Sequence, residues 1–337
     1  MVFKSNQKVF LSIVAYLFFI RFILLSPVEA QNSSKNLEKS SFVAQWVPQA
    51  QFAGYYVAYE KGFYRDYGIE LDIATGGPQC SPCDFLKQGK VDFINLSLNT
   101  AIQAHAKGLE LVNIAQIMQK SAFMLVAKKS SGIKKIEDIN NKKVGVWTGI
   151  SQMQALSFIE KYNLKVTIVP QTYSVNLFLR GGIDVASAMW YNEYHTILNS
   201  GYDPEELTTF FFSEYGLSFP EDGIYTVKET FLSNPRLCCS FVMATIKGWE
   251  YAFAHQDEAL DIVLKYIKAA NMPANRVHQK WMLGRMEDLI MTSGQNKISG
   301  KLSPGDYLRV GEELKKAKMI SAIPEFNNFY KNCVSND

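Results

Sequence analysis

Short apolar runs alternate with amphipathic segments over the first two thirds of the chain. The runs "FVAQWV", "IELDIA" and "VDFINL" predict strands, and "GYYVAYEKGFYRDYG" and "NTAIQAHAKG" predict helices between them. The pattern restarts at "KKVGVW", which is followed by the helical segment "SQMQALSFIEKYN" and by the runs "KVTIVP" and "IDVASAMW". Strands that alternate with helices indicate mostly parallel, doubly wound sheets. The sequence therefore predicts an α/β fold built from two such units.

The pattern changes to long helices after "PEDGIYTV". Three segments have apolar residues at helical spacing, "RLCCSFVMATIKGWEYAFAH", "DEALDIVLKYIKAAN" and "ANRVHQKWMLGRMEDLIM", and Pro235 and Pro273 mark the breaks before them. Crossings near "VAKKSSG" and "DGIYTV" predict two lobes on a hinge, one over 31–125 and 225–337 and the other over 126–224. A ligand of such a protein lies beyond the carboxyl ends of the strands, between the lobes.

The first thirty residues have the pattern of a secretory signal peptide. Two lysines precede an apolar stretch that Arg21 interrupts, and "SPVEA" follows with small residues where a signal peptidase cuts. We predict a signal peptide over 1–30, cleavage after Ala30 and export to the periplasm. The alternative is an uncleaved membrane anchor, which Arg21 and the short apolar runs disfavour.

Charge and composition exclude some classes of function. The chain has a formal net charge of +3, and 47% of its residues are hydrophobic. Lys4, Lys8 and Arg21 against Glu29 give the first thirty residues a net +2, so the remainder carries +1. A nearly neutral chain without a basic stripe is a poor candidate for nucleic-acid binding.

The cysteines leave several alternatives open. Cys80 and Cys83, in "CSPC", could form a disulfide in an exported protein, and their spacing also fits a redox dithiol or half of a zinc site. We expect no metal site, because the chain has no second such pair and its four histidines are scattered. Cys238 and Cys239 lie in an apolar run and are expected to be packed rather than reactive.

Four blocks of sequence carry a family resemblance. They are "WVPQAQFAGYYVAYEKGFYRDYGIELDI", "GKVDFINLSLNTAI", "LVAKKSSGIKKIEDINNKKVGV" and "RGGIDVASAMWYNEY", and the resemblance that they carry covers 42–290. The chain resembles the periplasmic substrate-binding proteins of ABC importers. Within them it is similar to the branch related to eukaryotic thiamine-pyrimidine synthase (NMT1/THI5-like), which also includes sulfonate, nitrate and taurine binders.

The resemblance implies a type II periplasmic-binding fold with a ligand cleft between two hinged lobes. It also implies no catalysis, no cofactor, a monomer, and the permease and ATPase subunits of an ABC importer as partners. The synthase of this branch holds iron through a cysteine-rich motif, and "CSPC" lacks its consecutive cysteines. The predicted export also argues against a cytosolic synthase.

Candidate ligand contacts in the first unit follow the predicted strands. After the first strand, Trp46 can stack on a flat heterocycle and Gln49 offers both a donor and an acceptor, although Trp46 could instead close the core. Tyr55 is one of two adjacent tyrosines that open the next helix, of which one is expected to face the cleft. Ser97 and Asn99 are small polar residues after the third strand.

The second unit supplies a matching set. Trp147 and Thr148 follow its first strand, where an aromatic face and backbone amides at a helix start could meet a ligand. Trp190, Asn192 and Glu193 lie in "MWYNEY", and Glu193 could accept from the amine of an aminopyrimidine or be a solvated carboxylate at a helix start.

The aromatic and amide residues predict the class of ligand. Glu221, in "FPEDGIY" near the predicted hinge, adds a further acid, unless it only shapes the turn. We predict a planar nitrogen heterocycle, such as a hydroxymethyl- or aminomethylpyrimidine precursor of thiamine. Riboflavin is the first alternative and a sulfonate or taurine-like solute the next, while a pyrimidine-synthesis enzyme and a sensor module are less favoured.

Overall fold

Two five-stranded sheets form the framework of the chain. The computed structural model describes residues 37–291 and 297–334, so the predicted signal peptide lies outside the described residues. The strands, in chain order, are β1 Glu38–Val43, β2 Ile69–Ala74, β3 Phe93–Leu96, β4 Leu111–Gln116, β5 Phe123–Lys128, β6 Lys143–Trp147, β7 Thr167–Gln171, β8 Val185–Met189, β9 Leu207–Phe211 and β10 Gly223–Val227. The first sheet has the order β2-β1-β3-β10-β4 and the second the order β7-β6-β8-β5-β9.

One strand of each sheet runs against the others. β10 is antiparallel to β3 and β4, and β5 is antiparallel to β8 and β9, while β1, β2 and β3 are parallel, as are β6, β7 and β8. The chain passes from the first sheet to the second through 117–122 and returns through 212–222. The predicted lobe boundaries, after 125 and after 224, fall inside β5 and β10. We therefore propose lobe boundaries within these two crossing segments.

Helices cover the sheets and form the C-terminal third. The helices among the described residues are α1 Ala53–Glu60, α2 Phe63–Asp66, α3 Pro82–Lys87, α4 Leu98–Ala106, α5 Met153–Lys161, α6 Asn176–Leu179, α7 Glu193–Leu198, α8 Lys228–Ser233, α9 Pro235–Ala254, α10 Gln256–Ala269, α11 Arg276–Ile290, α12 Pro304–Lys316 and α13 Phe326–Phe329. Within the described ranges, none of them has the length and apolarity needed to cross a membrane.

Local sequence determines where the C-terminal helices begin. Pro235 occupies the first turn of α9, and the side chain of Asn234 accepts from the amide of Leu237 as its cap. The side chain of Ser303 caps α12 in the same way, ahead of Pro304. These residue types satisfy amide donors that a helix start leaves unpaired. The predicted helix breaks at Pro235 and Pro273 are thus confirmed.

Two glycines allow the closest helix packing in the first lobe. A Cβ atom at Gly54 of α1 would lie 2.3 Å from the ring of Trp249, and one at Gly248 of α9 would lie 2.1 Å from the carbonyl oxygen of Gly54. Both distances are far below van der Waals contact, so a larger side chain would separate the helices. Helix α9 packs on the first sheet, where its Phe241 stacks on Phe93 of β3 at 4.2 Å.

The cysteine pairing differs from the predicted one. Cys80 and Cys83 are free thiols, and the disulfide joins Cys239 of α9 to Cys333 near the C-terminus. The two bonded residues are separated by 94 positions. The disulfide therefore ties the C-terminal segment to α9, whereas the prediction considered only the short local pair. Cys238 is buried and free, in agreement with its expected packing, whereas Cys239, which was expected to be packed in the same way, forms the disulfide instead.

Candidate ligand-binding site

A cavity of about 440 Å³ lies between the two sheets, at the carboxyl ends of β1, β3, β6, β7 and β8. Loops at this edge of an open α/β sheet are where ligands bind. The lining residues are Gln45, Trp46, Gln49, Gln51, Ser97, Trp147, Thr148, Ser151, Pro170, Gln171, Thr172, Tyr173, Met189, Tyr191, Asn192, Glu193 and Glu221.

Eight of the predicted site residues line this cavity. They are Trp46, Gln49, Ser97, Trp147, Thr148, Asn192, Glu193 and Glu221. Strand-end reasoning thus located the cavity from both sides. Whether these residues contact a ligand stays a prediction.

Tyr55, Asn99 and Trp190 are not among the lining residues. Tyr55 is only 1% exposed, and its ring stacks on Phe42 at 4.4 Å, so it belongs to the core. Asn99 is buried in the first turn of α4. The guanidinium of Arg285 stacks over the ring of Trp190 at 4.6 Å.

The first wall of the cavity is a network of side-chain amides around Asp222. Gln45, Gln51 and Asn95 each donate to its carboxylate, Gln51 at 2.9 Å and Asn95 at 3.0 Å. Gln49 donates to Gln51 at 2.6 Å, and the backbone amide of Gln45 donates to Asn95 at 2.8 Å. Each amide in this wall is therefore held by a neighbour, which fixes the directions of its remaining donors and acceptors.

Asp222 occupies an unusual backbone position. Its φ is 48°, in the left-handed region that aspartate and asparagine tolerate better than most residues. Burial raises the pKa of Asp222 to about 6, although the three amides that donate to it oppose the rise. The network accordingly favours the carboxylate form at neutral pH.

Glu221 joins the cavity to the crossing segments. Its Oε1 atom accepts from the hydroxyl of Ser121 at 2.8 Å and from the amide of Ala122 at 2.9 Å. Burial, and then the charge of Asp222, raises the pKa of Glu221 to about 8. A carboxyl group with such a pKa is mostly protonated at pH 7 and can donate a hydrogen bond to a ligand.

Glu193 supplies the acid of the second wall. It begins α7, and it accepts from the amide of Met189 and from the side chain of Asn192, both at 2.9 Å. Burial raises the pKa of Glu193 to about 7. Burial, and then Glu221 and the other nearby carboxyl groups, raises the pKa of Tyr191 well above its usual value, so this phenol remains a donor.

Aromatic faces complete both walls. Trp147 stacks on Phe123 at 4.6 Å, so its ring is held from behind. Trp46 meets Tyr173 of the opposite wall edge-on, with ring centroids 4.5 Å apart. This pair is a direct contact between the walls at the cavity.

Several lining residues were not predicted. Gln171 ends β7, and Thr172 and Tyr173 follow it. The strand-end rule that found Trp46 and Trp147 would have found these residues too. Gln45 and Gln51 flank residues that were predicted, but their roles depend on Asp222, which is far away in sequence. No local pattern indicates that pairing.

Comparisons with known proteins agree with this architecture. The family model described as NMT1/THI5 like matches residues 49–259. The chain is 22% identical to the riboflavin-binding protein RibY of Chloroflexus aurantiacus, over 90% of this chain and 88% of that protein. It is 21% identical to the formylaminopyrimidine-binding protein of Halalkalibacterium halodurans, over 77% of this chain and 80% of that protein. Other relatives are named as 4-amino-5-hydroxymethyl-2-methylpyrimidine phosphate synthases.

Among solved structures, the fold matches the aliphatic sulphonate binding protein SsuA of Escherichia coli with a TM-score of 0.67. The match has 12% sequence identity and covers 86% of this chain and 91% of that one. At this identity the match shows the fold alone. The type II periplasmic-binding fold expected from the sequence is thereby confirmed. The match of the family model over 49–259 shows that the chain belongs to the NMT1/THI5-like family.

Proposed function

We propose that the protein is the solute-binding component of an ABC importer and binds a planar nitrogen heterocycle between its two lobes. The observation that carries the proposal is the composition of the cavity wall. Aromatic faces from both sides surround a space whose polar groups are amides, hydroxyls and buried carboxyl groups. Such a wall suits a flat ring with N–H donors and ring-nitrogen acceptors at its edge.

The charge of the wall disfavours an anionic solute. None of the described residues that line the cavity is Lys, Arg or His, whereas Glu193 and Glu221 both do so. A sulfonate would bring a permanent negative charge close to the ionised fraction of Glu193 without a cationic partner in the lining, and burying an unpaired charge is costly. The fold likeness to a sulphonate binding protein therefore carries no weight for the ligand.

A thiamine pyrimidine precursor is the leading candidate. An exocyclic amine on such a ring could donate to Glu193, and the protonated Glu221 could donate to a ring nitrogen. The relative named as a formylaminopyrimidine-binding protein supports this class. Riboflavin is the second candidate, because the relative named RibY aligns over most of both chains and a cavity of about 440 Å³ has room for a larger ring system.

Binding rather than catalysis is the proposed role. The synthases among the relatives keep an enzymatic alternative open. In the described cavity wall the polar groups are carboxyl, amide and hydroxyl groups, and neither Cys80 nor Cys83 lines it. These residues can orient a ring by hydrogen bonds alone, which is what a binding protein requires.

Action outside the cytoplasm follows from two observations. The signal peptide predicted over 1–30 would direct export, and the Cys239–Cys333 disulfide is typical of an oxidising compartment. The partners would then be the permease and ATPase subunits of the importer. N-terminal sequencing of the exported protein should find Gln31 as the first residue.

A thermal-shift panel tests the ligand class. The protein from Gln31 onward is heated with hydroxymethyl- and aminomethylpyrimidines, riboflavin, and alkane sulfonates. A ligand that binds only the folded state raises the melting temperature. We expect a shift with a pyrimidine that Trp46→Ala abolishes and that Tyr59→Ala, at an exposed tyrosine outside the cavity, retains. A shift with riboflavin alone would favour the second candidate, and a shift with sulfonates alone would overturn the proposal.

A further inference from the structure

A chain of hydrogen bonds runs from helix α11 to the edge of the cavity. His278 of α11 contacts the Oδ1 atom of Asn192 through Nε2 at 3.0 Å, and Asn192 donates to Glu193 at 2.9 Å. On its other side, the Nδ1 atom of His278 lies 2.9 Å from Nδ1 of His195 in α7. Asn192 and Glu193 line the cavity, whereas the two histidines lie behind it.

The same helix holds the opposite wall. Gln279 of α11 accepts from the backbone amide of Ala50 at 2.7 Å, and the sulfur of Met282 accepts from the amide of Gln51 at 3.3 Å. Gln51 belongs to the amide network of the first wall. Helix α11 therefore contacts both walls of the cavity through neighbouring residues.

Aromatic packing fixes the histidines in place. The ring of His195 stacks on Trp281 at 4.8 Å, and the indole nitrogen of Trp281 donates to the backbone oxygen of Trp190 at 3.0 Å. The guanidinium of Arg285 lies over both tryptophan rings, at 4.6 and 4.8 Å. The contact between α11 and the second lobe is thus an ordered interface.

We propose that His278 is a positioning residue, which holds Asn192 and Glu193 at the cavity edge and thereby joins helix α11 to the second wall. The inference rests on the proposed function, because the edge in question belongs to the proposed ligand cavity. The amide oxygen of Asn192 only accepts, so Nε2 of His278 carries a proton. The neutral ring of His278 then has no proton on Nδ1, the atom that lies 2.9 Å from Nδ1 of His195. The side-chain nitrogen of Asn199 also lies 3.2 Å from Nδ1 of His195. Protonating both rings would set two N–H groups against each other.

This arrangement makes the closed cleft sensitive to acid. Burial, and then the neighbouring His195, lowers the pKa of His278 to about 4 from its ordinary 6.5. Burial also lowers the pKa of His195. If the cleft opens and exposes the pair, the open form binds protons that the closed form does not, so closure weakens as pH falls through the window from about 6.5 to about 4. For one such histidine, affinity should fall about tenfold between pH 7.5 and pH 5.5.

Other charged groups lie near the pair. Glu193 lies behind Asn192 on α7, and Arg285 lies over Trp281 on α11. Burial raises the pKa of Glu193 to about 7, so its protonation on closure favours the closed form at lower pH, opposite in sign to the histidines. The contribution of His278 is therefore measured as the difference in the pH dependence of affinity between the protein and a His278 variant.

Nuclear magnetic resonance tests the inference without a ligand. We expect the ring of His278 to titrate well below pH 6.5. His278→Ala should shift the side-chain amide resonances of Asn192, and His278→Gln, which keeps an amide donor, should largely restore them. His255→Gln, at the end of α9 where the ring packs on Tyr251, is the matched control and should leave them unchanged. A measured pKa of His278 near 6.5, together with Asn192 resonances that do not shift in His278→Ala, would overturn the inference.

Affinity measurements separate this inference from the proposed function. With the ligand that stabilises the protein in the thermal-shift panel, the protein should lose about tenfold more affinity than His278→Gln between pH 7.5 and 5.5. Equal pH profiles would contradict the coupling. If the resonances behave as expected but no panel member binds, the ligand assignment fails and the positioning role of His278 stands.

Discussion

The two walls of the cavity are built in different ways. The first wall, from Gln45 to Gln51, is a set of amides bonded to one another around Asp222. The second wall depends more on rings, such as Trp147 on Phe123 and Tyr173, whose side chain is 63% exposed. A wall of mutually bonded amides presents fixed donors and acceptors, whereas an exposed ring can adjust to what it covers. The difference suggests that the amides of the first wall recognise the edge of a ligand, while rings from both walls, Trp46 and Trp147 among them, cover its faces.

Removal of the Asp222 carboxylate should have the largest effect. Asp222→Ala leaves three amide donors without their acceptor and places alanine at a φ of 48°. We expect the free energy of unfolding to fall by about 3 kcal/mol, measured by urea denaturation. Asp222→Asn keeps the shape of the side chain, and asparagine also tolerates this backbone conformation, so the free energy of unfolding should fall by less. Equal losses for the two variants would show that the network does not hold the first wall.

The buried acid at the junction should make stability depend on pH. The pKa of Glu221 is raised from its ordinary 4.5 to about 8, so folding binds a proton between these values and stability falls as pH rises through this window. Lowering the pH from 8 to 6 should stabilise the protein by about 2 kcal/mol through this group. Glu221→Gln should remove that part of the slope, while Glu229→Gln, at an exposed position in α8, should not.

Loss of the first-wall indole should weaken binding without a matching loss of stability. A ring stacked on a flat heterocycle contributes about 1–3 kcal/mol, so Trp46→Ala should weaken affinity roughly tenfold or more. Trp46→Phe keeps an aromatic face and should recover part of the loss. Titration of the heterocycle into each variant measures its affinity. Unchanged affinity in Trp46→Ala would show that Trp46 does not contact the ligand.

The second-wall tyrosine should show the smallest effect. Tyr173 contacts Trp46 but is largely exposed, so Tyr173→Ala should weaken affinity about threefold, less than Trp46→Ala, because an exposed ring loses less on truncation. The matched control is Tyr59→Ala, an exposed tyrosine of α1 outside the cavity, which should bind as tightly as the original protein. A larger loss of affinity in Tyr173→Ala than in Trp46→Ala would show that Tyr173, and not Trp46, supplies the main stacking surface.

The sequence predicted strands and strand ends better than side-chain directions. Trp46, Trp147 and Glu193 could be found because polar and aromatic residues follow apolar runs that form strands. Tyr55 was misplaced because its position at a helix start does not determine which face packs on Phe42. The direction of each side chain depends on helix rotation and sheet register, which local patterns leave open.

Pairings between distant residues were beyond sequence reasoning. Asp222, just before β10, accepts from Gln45 and Gln51, which follow β1 far earlier in the chain. Cys239 pairs with Cys333 across 94 positions. Glu221, the acid singled out from the sequence, lines the cavity, while Asp222 organises the wall behind it. Such pairings result from the folded topology, because no local spacing encodes them.

Isothermal titration calorimetry with a hydroxymethylpyrimidine that carries an exocyclic amine tests the central claim most directly. The account predicts one binding site per chain and a loss of at least tenfold in affinity for Trp46→Ala, with Tyr59→Ala unchanged. Absence of heat with this pyrimidine and with riboflavin, together with saturable binding of an alkane sulfonate, would contradict the proposal that the cavity selects a planar nitrogen heterocycle.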